Sequence, residues 1–193
     1  QSRAAVISSL KGRFVLTPGN SGETNILPAA NNVTSRSGSM NNLVALQRQF
    51  SGRLLILGEM RLKIGVDAFP MNDDNFFYLS YFHNDEQIDK KLSFKNEFLI
   101  LYKDEIFKID GQPIEVTEKE MTIYYRKVTG ATRVGKFTPV FPDLLSLKTE
   151  VEIILSEFSD KDNSEKISEI KGYLNEFYAK PERDNVEGWL KAE

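Results

Sequence analysis

Apolar and polar residues alternate from Gly52 to Val66, and this is the clearest pattern in the chain. Apolar residues occupy alternate positions, and charged residues occupy positions between them. The apolar residues are Leu54, Ile56, Met60, Leu62, Ile64 and Val66. A period of two predicts a strand with one buried and one wet face. Gly58 interrupts the apolar parity, and a glycine in that position often marks a bulge or a sharp bend in a long strand.

The next apolar segment, from Phe76 to Phe82, is aromatic or apolar on both parities. It predicts a strand that is covered on both sides or that presents an aromatic surface. Shorter apolar runs follow at 91–94, 98–102, 106–109, 114–116, 121–128 and 134–141. The breaks at Asp110-Gly111 and Thr129-Gly130 are typical of hairpins. Because the connections are short and lack a helical pattern, they exclude parallel crossovers and predict antiparallel pairing through residues 43–141.

The pattern changes at Pro142, after which apolar residues recur at steps of three and four. That spacing is the period of one helix face, and Asp143 is placed to cap the first helix. Asp162 and Glu165 have the spacing of a capping box at the start of a second helix, which Pro181 ends. A short last helix carries Trp189.

These patterns predict an α+β fold that is mainly β: an antiparallel β-sandwich or bent sheet with a C-terminal helical hairpin packed on it. The predicted β-domain spans residues 1–142 and includes a long loop rich in Asn, Ser and Gly at 18–42. Residues 143–193 form the helical segment of the same domain, since a one-sided apolar stripe needs a surface that covers it.

Composition narrows the classes of function. The chain of 193 residues has 25 basic and 28 acidic side chains, a net charge of −3, so nucleic acid is not an expected partner. The absence of cysteine excludes disulfides and thiolate metal sites. No apolar run approaches the ~20 residues that span a membrane. A first residue other than Met and a start rich in Ser and Asn lead us to expect an exported protein, at the cell surface, in a periplasm or outside the cell.

Two segments resemble ligand-binding loops only in part, and we expect no cofactor and no metal. Gly130 to Lys136 has the spacing of a phosphate-binding loop, but Phe137 stands where a hydroxyl is required, and an extended segment follows. Asp160 to Ser164 has oxygens at the first, third and fifth positions of a calcium loop. Glu165 replaces the glycine that such a loop needs.

His83, the one histidine, suggests an alternative function. Together with Asp73, Asp74, Asp85 and Glu86 it provides the groups of a carboxylate-dependent hydrolase, such as a glycoside hydrolase. Nothing in the sequence selects a pair of carboxylates or a partner for the histidine. We therefore favour a protein that is not an enzyme.

The aromatic strand is the most suggestive candidate site. Aromatic rings on an open sheet stack on sugar rings or anchor a protein partner, whereas in a core they only fill space. Tyr102, Tyr124 and Tyr125 come from strands that could be its neighbours. The candidate ligand-binding residues are Phe76, Tyr78, Tyr81, Phe82 and His83. The predicted function is a non-enzymatic exported or envelope-associated binding protein for a glycan or a protein. A subunit of an envelope assembly is a further alternative, and the oligomeric state stays open.

Overall fold

The structure is a computed structural model that describes residues 38–191 in full and the backbone of an N-terminal hairpin at 5–9 and 12–16. The chain divides into two compact units. We call Arg36–Phe141 the sheet unit, and the N-terminal hairpin together with the helices after Pro142 the helical unit. The predicted loop at 18–42 lies outside the described residues up to position 37.

The larger sheet of the sheet unit has five strands, in the spatial order 51–55, 130–140, 121–127, 76–83 and 86–91. Its strands are β3 (Ser51–Leu55), β5 (Phe76–His83), β6 (Glu86–Lys91), β11 (Met121–Lys127) and β12 (Gly130–Val140). The hairpins β5–β6 and β11–β12 are antiparallel, as their short connections predicted, and the central pair β5–β11 is antiparallel as well.

A second sheet of three strands has the order β4-β8-β7 and is antiparallel throughout. It contains β4 (Glu59–Lys63), β7 (Ser93–Lys95) and β8 (Phe98–Tyr102). The alternating segment from Gly52 to Val66 is therefore two strands in two sheets. Gly58 separates them with a φ of 78°, a left-handed conformation that favours glycine.

Two predictions for this unit were wrong in part. The pair β3–β12 is parallel, with Lys136 opposite Ser51 and Val140 opposite Leu55. Short connections exclude parallel pairing only between strands that follow one another, and these two are far apart in the chain. In addition, the start of the predicted β-region is a helix, α1 (Leu43–Gln49), whose N-cap Asn42 accepts a hydrogen bond from the backbone of Ala45.

The inward residues of both sheets belong to one hydrophobic cluster. From β5 they are Phe77, Leu79 and Tyr81, from β11 Met121, Ile123 and Tyr125, from β4 Met60 and Leu62, and from β8 Leu99 and Leu101. Leu46 and Phe50 join it from α1 and its C-terminal end, and Leu54, Val134 and Phe137 join it from β3 and β12. The short helix α2 (Lys103–Ile106) and the hairpin of β9 (Lys108–Ile109) and β10 (Gln112–Pro113) follow β8. Asp110 and Gly111 form the turn of that hairpin, both with positive φ.

The helical unit contains α3 (Leu144–Glu157), α4 (Asn163–Phe177) and α5 (Arg183–Lys191). It also contains the antiparallel strands β1 (Ala5–Ser9) and β2 (Gly12–Leu16), of which β2 contacts α3 and α4. Asp143 caps α3, and Asp162 and Glu165 form the capping box of α4, as predicted. The predicted α+β class and C-terminal helices are thus confirmed. That sheets and helices make a single domain stays a prediction.

Candidate functional site

Strand β5 divides its aromatic residues between two faces. Phe77 and Tyr81 point into the core, where Tyr81 is 2% exposed and its hydroxyl donates to the backbone oxygen of Ile106 at 2.6 Å. Phe76 and Tyr78 are half-buried on the opposite side, and Phe82, on the same parity, is 65% exposed. The residues of one parity therefore pack in the core, and the aromatic residues of the other parity lie on the opposite side of the sheet.

We call the side of the five-stranded sheet that carries Tyr78 the outer face. The register places opposed residues of neighbouring strands on the same side. Its members on β5 and β11 are Phe76, Tyr78, Ser80, Phe82, Thr122, Tyr124 and Arg126, and those on β6 and β12 include Gln87, Asp89, Lys91, Ala131, Arg133 and Lys136.

A stacked pair of tyrosines lies at the centre of the outer face. Tyr78 is directly opposite Tyr124, with the ring centroids 5.1 Å apart and the ring planes within 11° of parallel. Phe76 continues the aromatic surface along β5, its centroid 6.3 Å from that of Tyr78. Three rings from two strands thus form one contiguous aromatic surface on a wide sheet.

A β-bulge brings two further cations to this face. The register of β11 and β12 shifts between Ile123 and Tyr124, so that Ile123 lies opposite Gly135 and Tyr124 opposite Arg133. Val134, between them, is buried, whereas Arg133 and Lys136 are both exposed. Gly135 sits so close to α1 that a Cβ there would lie 2.4 Å from the backbone oxygen of Phe50. The bulge therefore places Arg133 beside Tyr124.

Ion pairs occupy three positions around the tyrosines. Arg53 binds Glu118 at 2.9 Å, Lys136 binds Glu120, and Lys91 binds Asp73 at 3.3 Å while its ammonium lies 4.6 Å from the ring centroid of Phe76. Arg126 and Arg133 are exposed, and neither makes an ion pair with another residue in the described part of the chain. Two of the cations beside the tyrosine pair therefore have no ion-pair partner among the described residues, whereas Lys91, opposite Tyr78, has one.

The electrostatics of Tyr78 reflect this crowded environment. Partial burial raises the pKa of Tyr78, and the negative charge of Asp89 and the neighbouring Tyr124 raise it further, while Arg126 acts in the opposite direction. The hydroxyl is therefore neutral at physiological pH and can both donate and accept a hydrogen bond.

The groups of the alternative hydrolase form two separate sets. Asp73 and Asp74 precede β5, and Asp85 and Glu86 follow it, so the strand, roughly 25 Å long, separates the two sets. Asn72 accepts hydrogen bonds from the backbone of Asp74 and Asn75 and so organises its own turn. His83 is half-buried at the far end of β5, opposite Glu86. The residues that the structure describes contain no group of three side chains suited to a metal ion.

The other two motifs belong to regular structure. Gly130 to Phe137 lies within β12, which continues to Val140, so no helix N-terminus follows it. Asp162, in the calcium-like segment, is the N-cap of α4. Neither segment forms a binding loop.

Sequence reasoning did not include Tyr124, Arg126 and Arg133 among the site residues. The signal for the first two is the alternation in 121–127, which places Tyr124 and Arg126 on the parity opposite the apolar residues Met121, Ile123 and Tyr125. The pairing of β11 with β5 and the bulge that exposes Arg133 are tertiary features that one sequence does not reveal.

No known protein family, curated protein or solved structure matches the chain. Between residues 38 and 191, no helix is long and apolar enough to cross a membrane.

Proposed function

We propose that the protein is a non-enzymatic binding protein and that the outer face is its recognition surface. The observation that carries the proposal is the stacked pair of Tyr78 and Tyr124 on a sheet face, flanked by Arg126 and Arg133. Aromatic rings left partly exposed on a sheet are available to stack on a ligand. They provide contact area at low entropic cost, because a tyrosine has only two side-chain torsions.

A glycan suits this surface better than a folded protein does. A stable protein interface buries about 800 Å² on each partner around an apolar centre. Here the aromatic patch consists of Phe76, Tyr78 and Tyr124, and the ion pairs Lys91–Asp73 and Lys136–Glu120 border it on two sides. These three aromatic rings, with charged side chains around them, are similar in size to a few sugar units. Protein binding, including assembly into an envelope complex, is the competing outcome of the test.

The separation of the carboxylates supports a binding function over the hydrolase alternative. Glycoside hydrolysis needs two carboxyl groups roughly 5–10 Å apart on either side of the scissile bond. A pair that combines Asp73 or Asp74 with Asp85 or Glu86 is too far apart, because β5 lies between the two sets. Export of the protein stays a prediction from the sequence.

The test is a glycan array probed with wild-type protein and with Tyr78→Ala, Tyr124→Ala and the double variant. We expect the wild type to bind a related set of glycans and each single variant to lose about tenfold in affinity, since one stacked ring contributes about 1–3 kcal/mol in comparable contacts. Tyr102→Ala is the matched control, because Tyr102 is an exposed tyrosine of the other sheet. Equal signals from the wild type and the double variant would reject the proposal.

A protein partner would give a different pattern. Light scattering at several concentrations measures self-association through the outer face or the β6 edge. A mass that rises with concentration in the wild type but not in Tyr124→Ala, without glycan binding, would favour assembly over glycan recognition.

A further inference from the structure

The outer face combines its aromatic pair with two cations that have no acidic partner among the described residues, and the arrangement of these four side chains restricts the ligand. Tyr124 has Tyr78 opposite it on one side and Arg133 opposite it on the other. Arg126 is two residues further along β11 on the same face. Tyr124 is therefore bordered by a ring on one side and by guanidinium groups on two others.

Arg126 and Arg133 stand in a diagonal relation across the β11–β12 pair. Diagonal neighbours in an antiparallel pair have Cα atoms roughly 7–8 Å apart, a span that two long arginine side chains close with ease. A guanidinium group binds a carboxylate with two parallel hydrogen bonds. Because the guanidinium group is planar, it recognises the shape of the carboxylate as well as its charge. One carboxylate between the two arginines would satisfy both.

We propose that the ligand is an acidic oligosaccharide in which a uronic acid stacks on Tyr124 and places its carboxylate between Arg126 and Arg133. In a uronic acid the carboxyl group is attached directly to the sugar ring. A ring lying on Tyr124 therefore holds its carboxylate beside the ring, where the register puts the arginines. This inference rests on the proposed function and names the class of its ligand.

Charge complementarity favours this ligand over a single-stranded nucleic acid. Arg53, Lys91 and Lys136 are each already paired with an acidic side chain, and Asp89 contributes a negative charge to the same face. Counting Arg126 and Arg133 against Asp89, the face keeps an excess of about one positive charge, which is concentrated at the two arginines. A nucleic acid carries a charge on every nucleotide and needs a continuous basic groove. A glycan with one carboxylate in several sugars matches the localised excess.

The experiment compares four sets of immobilised probes at 0.15 M salt: neutral oligosaccharides, uronate-containing oligosaccharides, the same uronates as methyl esters, and oligodeoxythymidylate. The proteins are the wild type, Arg126→Gln/Arg133→Gln and the charge-matched control Lys95→Gln/Lys108→Gln, whose exposed lysines lie on β7 and β9. We expect free uronates to bind at least tenfold more tightly than their methyl esters, because hydrogen bonds between charged groups contribute more than neutral ones. The arginine variant should lose that preference, and the lysine variant should keep it.

The outcomes separate this inference from the proposed function. Neutral sugars or methyl esters that bind as well as uronates, with binding still lost in Tyr78→Ala/Tyr124→Ala, would overturn the acidic ligand and leave glycan binding intact. Preferred binding of the oligonucleotide, or of a sulfated glycan added as a further probe, would also overturn it. Binding that survives the double tyrosine variant would reject the proposed function itself.

Discussion

Tyr78 lies directly opposite Tyr124 on the outer face, and Phe77 lies directly opposite Tyr125 on the buried face of the same two strands. The outer rings are nearly parallel with centroids 5.1 Å apart, and the inner rings are tilted by 41° with centroids 4.7 Å apart. Consecutive residues of β5 and β11 thus build one aromatic pair on the outer face and one in the core.

This relationship predicts opposite effects for neighbouring substitutions. Phe77→Ala should lower the free energy of unfolding by about 3–5 kcal/mol, because it leaves a cavity among buried rings. Tyr124→Ala should cost at most about 1.5 kcal/mol, since its pair is only half-buried. Urea unfolding of both variants measures the difference. A Tyr124 variant as unstable as the Phe77 variant would mean that the outer pair is part of a core.

The buried tyrosines predict loss of stability in alkaline solution. Burial raises the pKa of Tyr81 and Tyr125 above its ordinary value near 10, because the charged phenolate is disfavoured in the core. Above pH 10 the unfolded chain therefore loses protons that the folded chain retains, and the free energy of unfolding falls as pH rises. Below pH 10 these two tyrosines do not make the free energy of unfolding depend on pH.

Urea unfolding between pH 9 and 11.5 checks this dependence. Tyr81→Phe should make the decline shallower, although it also removes the hydrogen bond to the backbone of Ile106. The control is Tyr124→Phe, which changes a tyrosine that lies outside the core, on the outer face of the sheet. An identical slope in the wild type and the Tyr81 variant would contradict the assignment.

The close approach of β12 to the end of α1 predicts a strong effect at Gly135. A methyl group there would lie 2.4 Å from the backbone oxygen of Phe50, and backbone cannot move aside as a flexible side chain does. Gly135→Ala should therefore destabilise the protein by more than about 2 kcal/mol, as overpacking typically does. Gly172→Ala is the control, because Gly172 lies within α4 with open space around it. Its helix propensity should raise stability by up to about 1 kcal/mol.

In the helical unit, Glu150 is almost fully buried and accepts hydrogen bonds from Tyr173 at 2.7 Å and from Tyr178 at 2.5 Å. Tyr178→Phe removes one of these donors and should cost about 1–3 kcal/mol, because a buried acceptor loses a hydrogen-bond partner. Glu152→Ala, an exposed position on the same helix, should change stability by less than about 0.5 kcal/mol. Thermal melting of both proteins tests the contrast. A Tyr178 variant that melts with the wild type would show that the contact contributes nothing.

Features that depend on residues close together in the sequence could be predicted from local patterns. Helix caps at Asp143 and Asp162 and the strand at Phe76 depend on neighbours within a few positions, and these predictions were confirmed. The split at Gly58 was signalled as a bend, but no local pattern indicates that the two halves join different sheets. The parallel pairing of β3 with β12 depends on contacts between distant segments, which periodicity does not encode.

The site was predicted in part for the same reason. Alternation in β5 identified its aromatic residues, yet it could not decide which parity faces the core, and Tyr81 proved to be buried. Tyr124 and Arg133 join Tyr78 through pairing and through a bulge, both of which are set by packing beneath the sheet. A surface that is assembled across several strands cannot be predicted from the sequence of each strand alone.

The most direct test is a nuclear magnetic resonance titration of the labelled protein with the glycan that the array ranks first. We expect the largest shifts of backbone amides on β5, β11 and the part of β12 around Arg133, and we expect Tyr78→Ala/Tyr124→Ala to abolish them. Shifts centred on β4, β7 and β8, or unchanged by that double variant, would place recognition elsewhere and contradict it.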